Sequence, residues 1–155
     1  MKLYLMRHGD SPGMLQVGVK RDFDRPLSDA GREAARRTAA HLNEKGVRPA
    51  LILVSPLVRA QQTAEEVAGV LKPAPELRVY EPLSNKIDGA SMYARIGEDG
   101  LRDGELLLIG HLPQLPELAH HLTGQDIPLR PAELCAFEVS GDSGRLLWAV
   151  SPSDS

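Results

Sequence analysis

One cysteine, Cys135, stands in 155 residues, so the chain can form no internal disulfide, no Cys-x-x-Cys redox pair and no thiolate zinc cluster. A reducing compartment is the expected home. Positive charge is not in excess: 18 Lys and Arg against 21 Asp and Glu leave a formal charge of −3. That removes any general electrostatic ground for binding nucleic acid or an anionic membrane, and any basic site must be local. Long apolar runs are missing too. The N-terminal stretch ending at Met6 is too short for a signal h-region or a membrane span, which points to the cytoplasm. Repeats, linkers and low-complexity tracts are absent, and the length suits a single domain over residues 1–155. Disorder is expected no further in than Ser151 to Ser155, and the protein is expected to be a monomer.

The apolar residues come in short bursts. Leu3 to Met6, Leu51 to Val54 and Leu106 to Ile109 run without polar alternation, as strands buried on both faces of a parallel sheet do. Helical patterns lie between them. Ser28 is a plausible N-cap for Asp29 to Glu44, with Gly46 as the stop. Ser55 at the N-cap and Pro56 at the first helical position start a helix that runs to about Leu71. A weaker strand at Leu77 to Tyr80 precedes a helix near Ala90 to Ile96, and another helix near Gln114 to Leu122 ends at Gly124. Glu133 to Val139 and Arg145 to Val150 read as a hairpin around a Ser140 to Gly144 turn. Alternating strand and helix gives an α/β fold, a three-layer αβα sandwich with a mostly parallel central sheet and one antiparallel element.

In an open α/β sheet, ligands sit beyond the carboxyl ends of the parallel strands. The unusual residues fall there. The first strand ends in Arg7-His8-Gly9, the second leads through Ser55 to Arg59, and the 106–109 strand leads to Gly110-His111. Two guanidiniums directed at one point can fork onto the oxygens of a tetrahedral phosphoryl group. A neutral imidazole can attack its phosphorus, and a second, if protonated, can donate to the charge that develops. Gly9 leaves space for an incoming phosphate, and helix starts near Pro56 and Leu112 add positive dipole ends.

The segments "LMRHGD", "PLSDAG", "LILVSPLVRAQQTAEEV" and "LLIGHLPQL" resemble, in order and spacing, the histidine phosphatase superfamily, the phosphoglycerate-mutase-like fold. The resemblance spans residues 3 to about 122. It implies that His8 is the nucleophile and becomes phosphorylated, that Arg7, Arg59 and His111 complete the phosphate pocket, and that neither metal nor other cofactor takes part. Capped members carry long insertions, whereas only about two dozen residues lie here between Tyr80 and Glu105. The chain therefore lacks a large cap, and its pocket is expected to be open enough to admit a side chain presented by another protein. Compact members with "MRHGD" and "VSPLVRAQQT" look like the SixA-type phosphohistidine phosphatases, which act on phosphorelay or phosphotransfer proteins. A small-molecule phosphomonoesterase or mutase, and a phosphate-sensing binding module without turnover, are the alternatives.

Three carboxylates compete for the role of general acid. Glu81 follows the third strand, as the acid of capped relatives does, while Asp22 and Asp24 lie in the long loop after His8. An imidazole leaves as a neutral base, so a phosphohistidine substrate makes little demand on such an acid. Asp10 could fix His8 or cap its loop. His120 and His121, adjacent on a helix, diverge by about 100°, which suggests one outward and one packed. His41 and the Arg32, Arg36 and Arg37 cluster read as solvated helix faces, Cys135 as inert burial, and Phe137 and Trp148 as packing between hairpin and sheet.

Overall fold

The computed structural model describes residues 1–154. Six strands form one sheet: β1 (Lys2–Arg7), β2 (Leu51–Val54), β3 (Glu76–Val79), β4 (Glu105–Gly110), β5 (Leu134–Ser140) and β6 (Ser143–Val150). Their spatial order is β3-β2-β4-β1-β5-β6. The first four run parallel, and β5 and β6 continue the sheet antiparallel from β1. Five helices connect them: α1 (Met14–Val17), α2 (Asp29–Glu44), α3 (Val58–Val70), α4 (Gly89–Glu98) and α5 (Gln114–Thr123). None is long and apolar enough to cross a membrane among the described residues.

The continuous apolar runs become central strands because helices cover both faces of the sheet. Alternate residues divide between two cores. Leu3, Leu5, Leu106 and Leu108 pack with Met92, Tyr93, Leu115 and Leu118 of α4 and α5. Tyr4, Met6, Leu107 and Ile109 pack with Ala35, Ala39, Ala60 and Ala64 of α2 and α3. The small alanines bring α2 and α3 close to the sheet. The 80–105 interval holds no lid: α4 buries Gly89, Met92, Tyr93 and Ile96 and forms part of the layer beside α5. The αβα sandwich without a large cap stands as the sequence predicts.

Several local expectations change. The hairpin turn is only Gly141-Asp142, with Ser140 paired to Ser143, and Gly141 takes the positive φ of +60° that so tight a connection needs. Ser28 caps α2, its Oγ accepting the Gly31 amide at 2.9 Å. Ser55 caps nothing, because α3 begins at Val58 with Leu57 before it. Arg32 and Arg36 bind Glu66 at 3.1 and 2.7 Å and clasp α2 to α3, so this cluster is more than a solvated face. His120 and His121 are both exposed, beside Asp126 and Asp142, and His41 is half-buried. Phe137 lies in the α4/α5 core, while Trp148 packs on Tyr4 at 6.1 Å and carries Lys45 over its ring. Burial pushes the Cys135 thiol up to about 11, which suits an inert side chain. Ser151 to Asp154 close a hydrogen-bonded turn, and Ser155 lies outside the described residues.

Candidate active site

β1 and β4 pair in parallel with Arg7 opposite Gly110, so His8 and His111 emerge side by side one residue later. Their ring centroids are 5.1 Å apart. Both are buried, as is Arg59, which α3 brings in from beyond β2. The charges of Arg7 and Arg59 act on both imidazoles. The strands thus bring together the four residues that the sequence placed at one edge.

Each member is held from behind. His8 Nδ1 lies 2.7 Å from its neighbour Gly9's carbonyl oxygen, which can only accept. The proton therefore sits on Nδ1, and Nε2 keeps its lone pair. Ala132, in the left-handed region at φ +63°, donates its amide to the carbonyls of Arg7 and His8, and Thr38 Oγ1 donates to the Ala132 carbonyl at 2.6 Å. Conformational strain at a non-glycine residue is thereby spent on fixing the working end of β1. Thr63 Oγ1 accepts the Gly9 amide at 3.0 Å and donates to the Arg59 carbonyl at 2.8 Å, joining the first strand's tip to α3.

Ser55, expected as a helix cap, serves His111 instead. Its Oγ accepts the Leu57 amide at 3.2 Å and lies 2.7 Å from His111 Nε2. The hydroxyl has no other acceptor among the described residues, so it donates to Nε2 and leaves the His111 proton on Nδ1, a buried atom without a protein partner. Arg7 Nε is likewise buried and unpartnered, while its Nη1 donates to the Leu129 carbonyl at 3.3 Å. Buried donors of this kind suit an incoming anion.

Gly9 has a different reason for being glycine from the one the sequence suggests. A Cβ there would stand 2.7 Å from the Gly31 carbonyl oxygen, so the missing side chain makes room for the start of α2 and not for phosphate. Asp10 completes this contact, its carboxylate accepting from Ser28 Oγ at 3.0 Å, a structural role with no bond to His8. Gly9→Ala is expected to lower stability by about 1–3 kcal/mol, because the obstacle is backbone. A melting curve unchanged by the substitution would rule out this close approach.

The candidate acids separate. Glu81, on the 3₁₀ turn Glu81–Leu83, is 69% exposed and lies 3.8 Å from Lys86, and no hydrogen bond joins it to the cluster among the described residues. Asp24 pairs outward with Arg21 at 2.9 Å. Asp22 alone of the three reaches the pocket: its backbone carbonyl and carboxylate accept from Arg59 Nη1 and Nη2 at 2.9 and 3.0 Å.

Burial, opposed by the hydrogen bond to Gly9 and reinforced by the positive charges of Arg59 and Arg7, pushes His8 down to about 4. Burial also dominates at His111, down to about 3, with His8 and Arg59 adding to it and Asp22 opposing. Both rings are therefore neutral at physiological pH. In the unfolded chain they titrate near about 6.5, so on acidification the unfolded state takes up protons that the folded state refuses. Stability from these groups is complete above that pH and falls on the way down through the folded values. Each imidazole is expected to contribute a slope of up to about 1.4 kcal/mol per pH unit. Urea titrations between about pH 5 and 7 should show this slope, and His111→Asn should reduce it to the share that His8 contributes. An identical slope in the variant would remove His111 from the cause.

The sequence pattern of the histidine phosphatase superfamily (branch 1) matches residues 3–84. Phosphohistidine phosphatase SixA of Escherichia coli is 30% identical over 98% of this chain and 94% of its own length. An uncharacterised protein of Picosynechococcus is 33% identical over 85% of this chain and 81% of its own. The solved structure of the protein histidine phosphatase SixA complexed with tungstate superimposes with a TM-score of 0.87 at 28% identity, covering 98% of this chain and 97% of that one.

Proposed function

The chain belongs to the histidine phosphatase superfamily, and from this premise we propose that it removes phosphate from phosphohistidine on a phosphorelay or phosphotransfer protein. Its fold is the phosphoglycerate-mutase-like one, and its activity that of a phosphatase. His8 Nε2 attacks phosphorus, with its ring proton held by the Gly9 carbonyl. Arg7 and Arg59 grip the phosphoryl oxygens, and His111 donates from Nδ1 as charge builds on them. Water then hydrolyses the phosphorylated His8, with inorganic phosphate as product.

The observation that carries the substrate class is exposed apolar surface at this end of the sheet. Met14, Leu15 and Phe23 after β1, Ile87 after β3 and Leu112 after β4 all expose large apolar side chains in the connections that leave the strands' carboxyl ends. Such surface suits the face of a protein that presents a phosphorylated side chain. The likeness to a phosphohistidine phosphatase over nearly the whole chain supports the same reading.

The test offers the protein a phosphohistidine-bearing domain and a panel of phosphomonoesters, with phosphate release as readout. A kcat/KM higher for the phosphohistidine domain than for any ester is expected. Faster release from an ester would favour a small-molecule phosphomonoesterase, and phosphate binding without release would favour a sensing module.

A further inference from the structure

Asp22 is held at the mouth of the pocket by two guanidiniums, Oδ2 on Arg59 Nη2 at 3.0 Å and Oδ1 on Arg25 Nη1 at 2.9 Å. Its side chain is nevertheless 57% exposed, so it faces outward as well as in. The loop that carries it is anchored on both sides. Arg25 also donates to the carbonyls of Ser11 and Pro12 at 2.9 Å, and Ser11 Oγ donates to the Pro26 carbonyl at 2.7 Å. A carboxylate offers about four lone-pair sites, of which these two contacts use two. Asp22 can therefore accept a further hydrogen bond without releasing either arginine.

We propose that Asp22 is a specificity-determining residue, accepting a hydrogen bond from the second ring nitrogen of the substrate's phosphohistidine. This rests on the proposed phosphohistidine reaction and assigns a group that favours it over ester cleavage. In the first step the bond from phosphorus to His8 Nε2 forms, and the bond from phosphorus to the substrate's ring nitrogen breaks. The bonding pair stays on that nitrogen. If the other ring nitrogen carries a proton, the departing group is neutral imidazole and not an imidazolate anion. Asp22 stabilises this protonated ring, and the ring keeps its proton throughout. His8 is treated in the same way: the proton on its Nδ1 rests on the Gly9 carbonyl, so the cationic charge it gains on phosphorylation meets an acceptor. Donor and acceptor rings are thus each supported at the nitrogen remote from phosphorus.

The same carboxylate is unsuited to cleaving alkyl esters. Its bonds to Arg25 and then Arg59 hold it below the usual carboxylate range, so it stays ionised and has no proton to give an alkoxide. Its charge acts on His111 across the pocket.

The test compares Asp22→Asn with wild type on two substrates, a phosphohistidine-bearing domain and p-nitrophenyl phosphate, whose leaving group has no ring nitrogen and departs as a stable anion. The ratio of kcat/KM for phosphohistidine to that for the aryl ester is expected to fall about tenfold or more in the variant, the worth of one hydrogen bond to a charged group. Asn is close in size and lies at the exposed mouth, so folding is preserved and circular dichroism checks it. Equal losses on both substrates would overturn the proposal and reduce Asp22 to positioning Arg59, and an unchanged ratio at full activity would overturn it as well. A wild-type protein that cleaves only the aryl ester would overturn the phosphohistidine reading itself, an outcome visible before any variant is made.

Discussion

His8→Ala is expected to cut phosphate release by a factor of about 10⁴ or more, because it removes the imidazole of the pocket whose ring lone pair is free to attack phosphorus. Its Nε2 is unprotonated since the 2.7 Å contact to the Gly9 carbonyl holds the proton on Nδ1, and the ring stays neutral down to about pH 4. The second imidazole cannot substitute. His111 Nε2 is bound to Ser55 Oγ at 2.7 Å, and its Nδ1 carries the proton. In the variant, water must attack a phosphoryl group gripped by Arg7 and Arg59, and what remains is the rate that binding and charge neutralisation alone sustain. Deleting a buried ring also costs packing, so His8→Asn is the companion variant: its amide can still donate to the Gly9 carbonyl while offering no nucleophile. The measurements are phosphate release and retention of an acid-labile, base-stable phosphate on the protein after mixing with a phosphodonor. Wild type should hold such a label, and neither variant should. Normal turnover by His8→Asn would place the nucleophile elsewhere.

How the pocket assembles was legible where it depends on strand ends. Leu3 to Met6 and Leu106 to Ile109 are apolar throughout, so they had to be central, and whatever follows a central parallel strand lies at one edge. Arg7, His8 and His111 meet for that reason, and Arg59 stands in the first turn of the helix that follows the neighbouring strand. The supporting contacts were not legible, because they join residues far apart in the chain. Ser55 before a proline has the local pattern of a helix cap, and only the 56-residue separation closed by β2 and β4 turns it toward His111. Thr63 stood inside a recognisable motif, yet its bond to the Gly9 amide spans 54 positions. Gly9 shows the limit most clearly: its lack of a side chain could be read, but the partner that needs the space, Gly31, is chosen by how α2 enters the sheet. Asp22 and Asp24 are alike in sequence, and the 3₁₀ turn that carries them sends one to Arg59 and the other to Arg21.

Arg59→Ala is expected to lose about 3 kcal/mol or more of transition-state stabilisation, near a hundredfold in kcat/KM, by removing one preorganised charged donor from the phosphoryl oxygens. The side chain is 9% exposed, so its charge acts with little screening by water. Both Nη groups are held by Asp22, through its carbonyl and its carboxylate, which fixes the guanidinium while leaving three of its five N–H donors for phosphoryl oxygens. Arg59→Lys separates charge from geometry: it restores a cation but not two parallel donors, and its activity should lie between alanine and wild type. A second readout is independent of turnover. Arg59 helps to hold His8 and His111 in their low-pKa state, so its removal lets both rings take up protons more readily in the folded protein. The folded and unfolded values then converge, and the loss of stability on acidification should be smaller in Arg59→Ala than in wild type. A variant that keeps full activity and an unchanged acid slope would place the Arg59 guanidinium outside the pocket, and a lysine variant as active as wild type would make charge alone sufficient.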